Sequence, residues 1–283
     1  MLGAVLDDII GSSYEWHNVK TKNFPLVTTD TKYTDDTVMT LAVAKWLMED
    51  TTHSEAELVR CMQELGRAHI MAGYGSRFIR WILSNNPHPY GSWGNGSAMR
   101  VSPVGLFADS ETEVLQLARI TANVTHNHPE GIKGAEAVAL AVYLNKHHSS
   151  MSLSSRKEIT KSKIESLFGY DLSRILDEIR PTYQFDVSCK GSVPEAIIAY
   201  LESESVEDCV RNAISIGGDS DTIAAIACAI FMAGENSQKE KNAWVNEFEK
   251  YLSADLMLIM KEFENEIFPL KDYKSKNFEN NKE

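Results

Sequence analysis

Residues 215–234 read "SIGGDSDTIAAIACAIFMAG". Two aspartates and a threonine, Asp219, Asp221 and Thr222, stand directly before a segment with almost no polar side chain. That segment is too short to cross a bilayer, so it reads as a helix buried in a protein core. Gly217-Gly218 marks the corner leading into it. Aspartate is a favoured N-cap, and negative charge near a helix N-terminus stabilises by roughly 0.3–1 kcal/mol. One cap needs only one side chain, however, and here two carboxylates and a hydroxyl fall within four residues.

The same arrangement occurs earlier. In "YTDDTVMTLAVAKWL" (33–47), Thr34, Asp35, Asp36 and Thr37 precede another mostly apolar helix. Two acidic junctions of matching design suggest one shared site. Four carboxylates brought together in a low-dielectric interior repel one another strongly unless a cation lies between them. The donors are all oxygens, which selects hard cations such as Mg²⁺ or Mn²⁺ over zinc or copper. Four carboxylates suit two divalent ions, and a two-metal site can orient and polarise a diol or a water. Simple capping at each junction is the competing reading.

Helical periodicity dominates the rest of the chain. The segments 37–50, 113–125, 129–146, 171–181, 192–203 and 205–218 all read as helices. In 171–181, Leu172, Ile175, Leu176 and Ile179 share a face and Pro181 ends it. Pro129 suits a first helical turn, and Ser205 with Asp208 has capping-box spacing. Residues 3–14 read as a further helix, on which Asp7 and Asp8 point about 100° apart. With Asp8 facing inward, Asp7 falls on an adjoining flank, where it is either solvated, the expected case, or adds negative charge near the acidic centre. Segment 145–163 reads as a surface insertion. Alternating strand patterns are scarce. The expectation is a single all-α domain over residues 1–270 with a polar tail at 271–283.

Of the 283 residues, 43% are hydrophobic, enough for a sizeable core, and the formal net charge is -12. That charge argues against a general nucleic-acid or membrane-surface binder. Cys61, Cys189, Cys209 and Cys228 are far apart and read as buried, reduced thiols. The start, "MLGAVLDDII", lacks a basic n-region and is not read as a secretory signal. A cytoplasmic, monomeric protein is expected.

Three loops carry further candidates. "SWGNGSAMRVSP" (92–103) has glycines at 94 and 96 that let a backbone approach a ligand closely; as an isolated motif it is an ordinary turn. Arg100 within it suits either a phosphate or a buried salt bridge. "THNHPEG" (125–131) holds His126 and His128 but no third soft ligand for zinc. "MAGYGSRF" (71–78) places Tyr74 in a glycine-aromatic turn, as a pocket residue or a surface aromatic.

Taken together, "GAVLDDIIGSSYE" (3–15), "TDDTVMT" (34–40), "GNGSAMRVSPVG" (94–105), "THNHPEG" (125–131) and "GGDSDTIAA" (217–225) resemble the ADP-ribosylglycohydrolase family in identity and order. The resemblance runs from residue 2 to about residue 235. It implies a compact orthogonal multi-helix fold with a dinuclear magnesium or manganese centre. The implied reaction is hydrolysis of the bond between ADP-ribose and an acceptor, with ADP-ribose as product. Thr34, Asp35, Asp36, Asp219, Asp221 and Thr222 then look like metal ligands. Gly94, Asn95, Gly96, Ser97, Met99, His126 and Tyr74 look like substrate-binding residues. Asp36 is the first choice for base, ahead of Glu15 and Asp35, and Glu15 is expected to help position metal or water. Relatives carry Gly-Asp where this chain has Asp7-Asp8. A relative that binds ADP-ribose without turnover, and a dinuclear phosphoesterase acting on a nucleotide, are the rival readings. The acceptor, whether an ADP-ribosylated protein, a nucleic acid or a small molecule, is not legible.

Overall fold

The computed structural model describes residues 1–235 and 237–268, and among them the chain forms fifteen α-helices and no strand. These are α1 (Leu2–Gly11), α2 (Asp35–Glu49), α3 (Glu55–Ala68), α4 (Ser76–Leu83), α5 (Gly96–Met99), α6 (Ser102–Phe107), α7 (Glu111–Asn123) and α8 (Pro129–His147). There follow α9 (Leu153–Phe168), α10 (Leu176–Ile179), α11 (Cys189–Leu201), α12 (Val206–Ile216), α13 (Ser220–Ala233), α14 (Gln238–Phe248) and α15 (Ala254–Ile267). They pack around one hydrophobic core as a single helical domain. The proposed tail at 271–283 lies outside the described residues. No described helix is long and apolar enough to cross a membrane.

The opening stretch forms the axis of the fold. Every residue of α13 is buried, and α1, α8, α11 and α12 pack around it. A helix apolar on all faces has to be central. Burying Ile223, Ile226 and Ile230 contributes about 1.5–3 kcal/mol each, which helps offset the several kcal/mol needed to desolvate each carboxylate at its mouth. Gly217 and Gly218 both have φ near +74°, a backbone conformation open to glycine and strained for other residues, and this turn swings the chain from α12 into α13. At the other end of the site, a Cβ on Gly11 would lie 2.5 Å from the Cα of Asp221. The last turn of α1 therefore touches the first turn of α13 backbone to backbone.

Three expectations change. Residues 171–175 are not helical, and only Leu176–Ile179 forms a turn of helix. The Asp171 carboxylate accepts from the Ser173 backbone N–H and hydroxyl, a local bond that competes with helix, and Ile175 is exposed. Segment 145–163 is no surface insertion: it is the end of α8 and most of α9. Buried Thr160 accepts a hydrogen bond from Asn145 at 3.1 Å and fixes the two helices together. The first helix stops at Gly11 rather than residue 14. The four cysteines are buried and free, as expected.

Candidate active site

The structure separates capping from site-building at both junctions. Thr34 caps α2, its hydroxyl accepting from the Asp36 N–H at 3.3 Å. Asp219 occupies the N-cap position of α13, but its side chain makes no capping bond. Instead, Glu15, Asp35, Asp36, Asp219, Asp221 and Thr222 line one cavity of about 500 Å³. The two acidic junctions thus converge, although they lie far apart in sequence.

Burial and mutual repulsion dominate the electrostatics of that cavity. Asp36 and Asp221 are held well above the usual carboxylate range by desolvation and then by their acidic neighbours. Burial, then Asp8 and Asp219, push Asp35 up to about 8. Half-buried Glu15 rises to about 7, through burial and then the charges of Asp219 and Asp8. Asp36 Oδ2 and Asp221 Oδ1 are buried with no hydrogen-bond donor. One carboxylate oxygen from each of Glu15, Asp219 and Asp221 falls within 4.8 Å of the others. Unengaged, mutually repelling, all-oxygen donors fit a hard divalent cation, which would relieve both the repulsion and the missing hydrogen bonds.

Asp8 organises the first junction from behind. Its carboxylate accepts from the Thr34 N–H (2.9 Å), the Thr34 hydroxyl (2.6 Å), the Thr37 N–H (3.3 Å) and the Thr37 hydroxyl (2.5 Å). Burial still outweighs these bonds and leaves its pKa raised to about 6. Thr34 is kept off the cavity wall. Having given its proton to Asp8 and one lone pair to Asp36 N–H, its hydroxyl retains a single lone pair. Asp7 is not on a solvated flank as expected. It is fully buried, with the Cys228 thiol beside it and no other donor to either carboxylate oxygen. Desolvation, opposed only by the Cys228 thiol, raises its pKa well above the usual range. The reason is the depth of α1: all ten of its residues are buried, so it has no solvated flank.

The opposite wall comes from the glycine loop and the turn before α8. Gly94, Asn95, Gly96, Met99, Arg100 and His126 all line the cavity. The Asn95 side chain donates to Asp219 Oδ2 at 2.7 Å and so orients a carboxylate of the acidic cluster. A Cβ on Gly96 would lie 3.1 Å from His126 Nε2, so glycine lets the loop and the imidazole approach closely. Burial, followed by the charge of Arg100, depresses the His126 pKa and keeps the ring neutral. Thr125 accepts from Arg100 at 2.8 Å and lies 2.7 Å from His126 Nδ1. Thr125 thereby fixes the imidazole, whose Nε2 edge faces the Gly94–Gly96 turn. Arg100 is 1% exposed and has no carboxylate partner among the described residues; it donates to the Thr121 carbonyl at 2.6 Å.

Ser97 and Tyr74 stand off the cavity. The Ser97 hydroxyl donates to the Gly131 carbonyl at 2.7 Å, tying α5 to α8. Tyr74 is buried against Phe78, behind Asp35. His128 caps α8 by accepting from the Glu130 N–H. Sequence reasoning missed Trp16, Arg77, Tyr90, Phe185 and Val187, which also line the cavity. Trp16 and Phe185 stack at the mouth with centroids 5.4 Å apart, and Trp16 is 74% exposed. A tryptophan directly after Glu15 was the available signal.

The family model described as ADP-ribosylglycohydrolase matches residues 1–262. The chain is 26% identical to ADP-ribosylhydrolase ARH3 of Homo sapiens, covering 91% of this chain and 90% of that protein. It is 23% identical to the ADP-ribosyl-[dinitrogen reductase] glycohydrolase of Rhodospirillum rubrum, covering 79% and 76% respectively. A solved structure described as an ADP-ribosylglycohydrolase-related protein complex shares the fold with a TM-score of 0.68 and 21% identity, covering 93% of this chain and 95% of that one. A model match over nearly the whole chain, with the acidic junctions and the glycine loop meeting in one cavity, establishes that the chain belongs to the ADP-ribosylglycohydrolase family.

Proposed function

We propose that the protein is a metal-dependent hydrolase that cleaves the glycosidic bond between ADP-ribose and an acceptor. The observation that carries this reading is the shared cavity, with an acidic, oxygen-only wall facing a wall of glycine backbone, a neutral histidine and an uncompensated arginine. The family match and the names of the relatives support the same chemistry.

Asp35, Asp36, Asp219, Asp221 and Thr222, with the remaining lone pair of Thr34, would hold Mg²⁺ or Mn²⁺. Divalent cations there would balance the carboxylate charge and polarise the ribose hydroxyls. The ribose of the substrate lies against this acidic wall. The diphosphate lies towards the Gly94–Gly96 turn, His126 and Arg100. The buried Arg100 charge suits such an anion because no protein carboxylate neutralises it. Asn95 holds Asp219 in register.

Water attacks the anomeric carbon as the bond to the acceptor breaks. Glu15, at the cavity mouth, steers the water, and Asp36 accepts its proton. Positive charge builds on the ribose in the transition state, and the acidic wall stabilises it. The departing acceptor atom takes up a proton from solvent at the mouth and leaves past Trp16 and Phe185, and Asp36 returns the water's proton to solvent.

The test is to incubate the protein with Mg²⁺ and a panel of acceptors ADP-ribosylated on arginine, serine or nucleic acid, and to quantify free ADP-ribose. Release from at least one acceptor supports the reading. If ADP-ribose binds but no acceptor is cleaved, the chain is a binding relative; if a phosphate ester is cleaved instead, it is a phosphoesterase.

A further inference from the structure

A second groove of about 310 Å³ adjoins the main cavity, sharing Arg77 and Tyr90 with it. Its other walls include Arg80, Trp81, Ser84 and His88, and no acidic residue lines it. That is unusual for a chain with a formal net charge of -12. Arg77 and Arg80, at i and i+3, lie on the same side of α4. Both are exposed, and neither forms a salt bridge or hydrogen bond among the described residues, whereas most other arginines of the chain are engaged. Trp81 is 4% exposed, stacks on Phe78 with centroids 5.4 Å apart, and its indole N–H has no acceptor. A buried N–H without a partner costs about 1–3 kcal/mol, so Trp81 carries an unmet donor in a residue that lines the groove beside two unpaired cations.

The direction of α4 says which end of a ligand the groove meets. A Cβ on Gly73, just before α4, would lie 3.5 Å from Asp35 Oδ1. The first turn of α4, with Ser76, Arg77 and Phe78, lines the main cavity, and Arg80 lies roughly 8 Å along the helix from Gly75. Tyr90, shared by groove and cavity, lies beside His126 with centroids 6.1 Å apart, so the groove adjoins the wall assigned to the diphosphate, and with the reacting ribose at the acidic wall it falls on the adenosine side of the substrate.

We propose that this groove binds a phosphate monoester carried on the adenosine ribose, so that the protein accepts ADP-ribose phosphorylated at the 2′ or 3′ hydroxyl. The proposal rests on the ADP-ribose reading of the main cavity. Arg80 and His88 hold the added phosphate, with Arg77 at the junction and Trp81 supplying the indole N–H. Paired guanidinium groups are the usual protein answer to such a phosphate.

Calorimetry on the full chain with Mg²⁺ compares adenosine 5′-monophosphate with adenosine 2′,5′-bisphosphate and 3′,5′-bisphosphate. At least one bisphosphate should bind tenfold or more tightly than the monophosphate, and the better of the two identifies the hydroxyl. Arg80→Gln, and Arg80→Gln with His88→Gln, should remove that advantage while leaving monophosphate and ADP-ribose affinity unchanged. Equal binding of all three nucleotides, or an advantage that survives both variants, overturns the proposal. A separate readout is the indole ¹⁵N–H resonance of Trp81 during titration with inorganic phosphate. A shift that disappears in Arg80→Gln supports the anion site even if ADP-ribose does not bind, a result that would defeat the main-cavity reading alone. A resonance unmoved by millimolar phosphate overturns the site itself.

Discussion

Asp8→Ala removes the group that fixes the first acidic junction, and its cost can be worked from the bonds it makes. Four donors converge on the Asp8 carboxylate, two from Thr34 and two from Thr37. The Thr37 hydroxyl can turn to the Val5 carbonyl, which it already approaches at 3.4 Å. Three donors remain without an acceptor in a buried site, at about 2 kcal/mol each, or about 6 kcal/mol together. Against this stands the burial of Asp8 itself. Its pKa is raised from 3.8 to about 6, so the ionised group costs about 3 kcal/mol at pH 7, which the variant recovers. The expected net loss is about 3 kcal/mol. Urea unfolding at pH 7 without added metal should show a lower midpoint and an unchanged m-value. Asp8→Asn keeps one acceptor oxygen and should lose roughly half as much. Because Thr34 also caps α2, Mg²⁺ affinity should fall about 10–100-fold in the alanine variant. A loss below about 1 kcal/mol, or a gain, would refute the view that Asp8 anchors the junction.

Asp7→Ala should leave turnover within tenfold, because Asp7 lies beside Cys228 rather than on the cavity wall. Its folded pKa is raised, so the native state binds more protons than the unfolded chain above about pH 4, and wild-type stability falls as pH rises from there towards the folded value. The stability of Asp7→Ala relative to wild type should therefore climb with pH by about 1.4 kcal/mol per unit over that window; a pH-independent difference between the two unfolding curves would contradict this. Asn95→Ala removes the 2.7 Å bond to Asp219 and should raise the Mg²⁺ concentration for half-maximal activity about 10–100-fold, with the circular dichroism spectrum unchanged; an unaltered Mg²⁺ curve would free Asn95 from that role. Gly96→Ala places a Cβ 3.1 Å from His126 Nε2 and should weaken ADP-ribose binding at least tenfold by calorimetry, and undiminished affinity would show that the loop can yield.

The fold was legible where composition left one solution. A helix as apolar as 223–233 can only be central, and its glycine corner and acidic start follow from the sequence. Where local and tertiary preferences compete, reading fails. The periodic leucines and isoleucines of 171–179 suggested a helix, yet the Asp171 turn takes the backbone elsewhere. The polar stretch 145–163 looked like an insertion because α9 buries only a narrow stripe. For the site, the two junctions could be paired because their pattern repeats. Asp8 and Asn95 were harder to place, since a carboxylate that accepts four bonds and an amide that donates to Asp219 are spelled like any other aspartate and asparagine. Asp7 misled for a related reason: a charged residue on a helix suggests water, and only the packing of α1 shows that none is there. Phe185 and Val187 reach the cavity from a segment with no motif of its own, and Arg77 sits inside the 71–78 turn, where Tyr74 drew the attention.

The central claim is that the two acidic junctions form one site for two cations. Electron paramagnetic resonance of the Mn²⁺-loaded protein, with bound metal counted on the same samples, tests it directly. Two Mn²⁺ per chain should give an exchange-coupled spectrum, and either Asp36→Asn or Asp219→Asn should abolish that coupled signal while helical content is retained. Uncoupled single-ion spectra, with each variant losing one ion and leaving the other undisturbed, would show two separate sites and contradict the account.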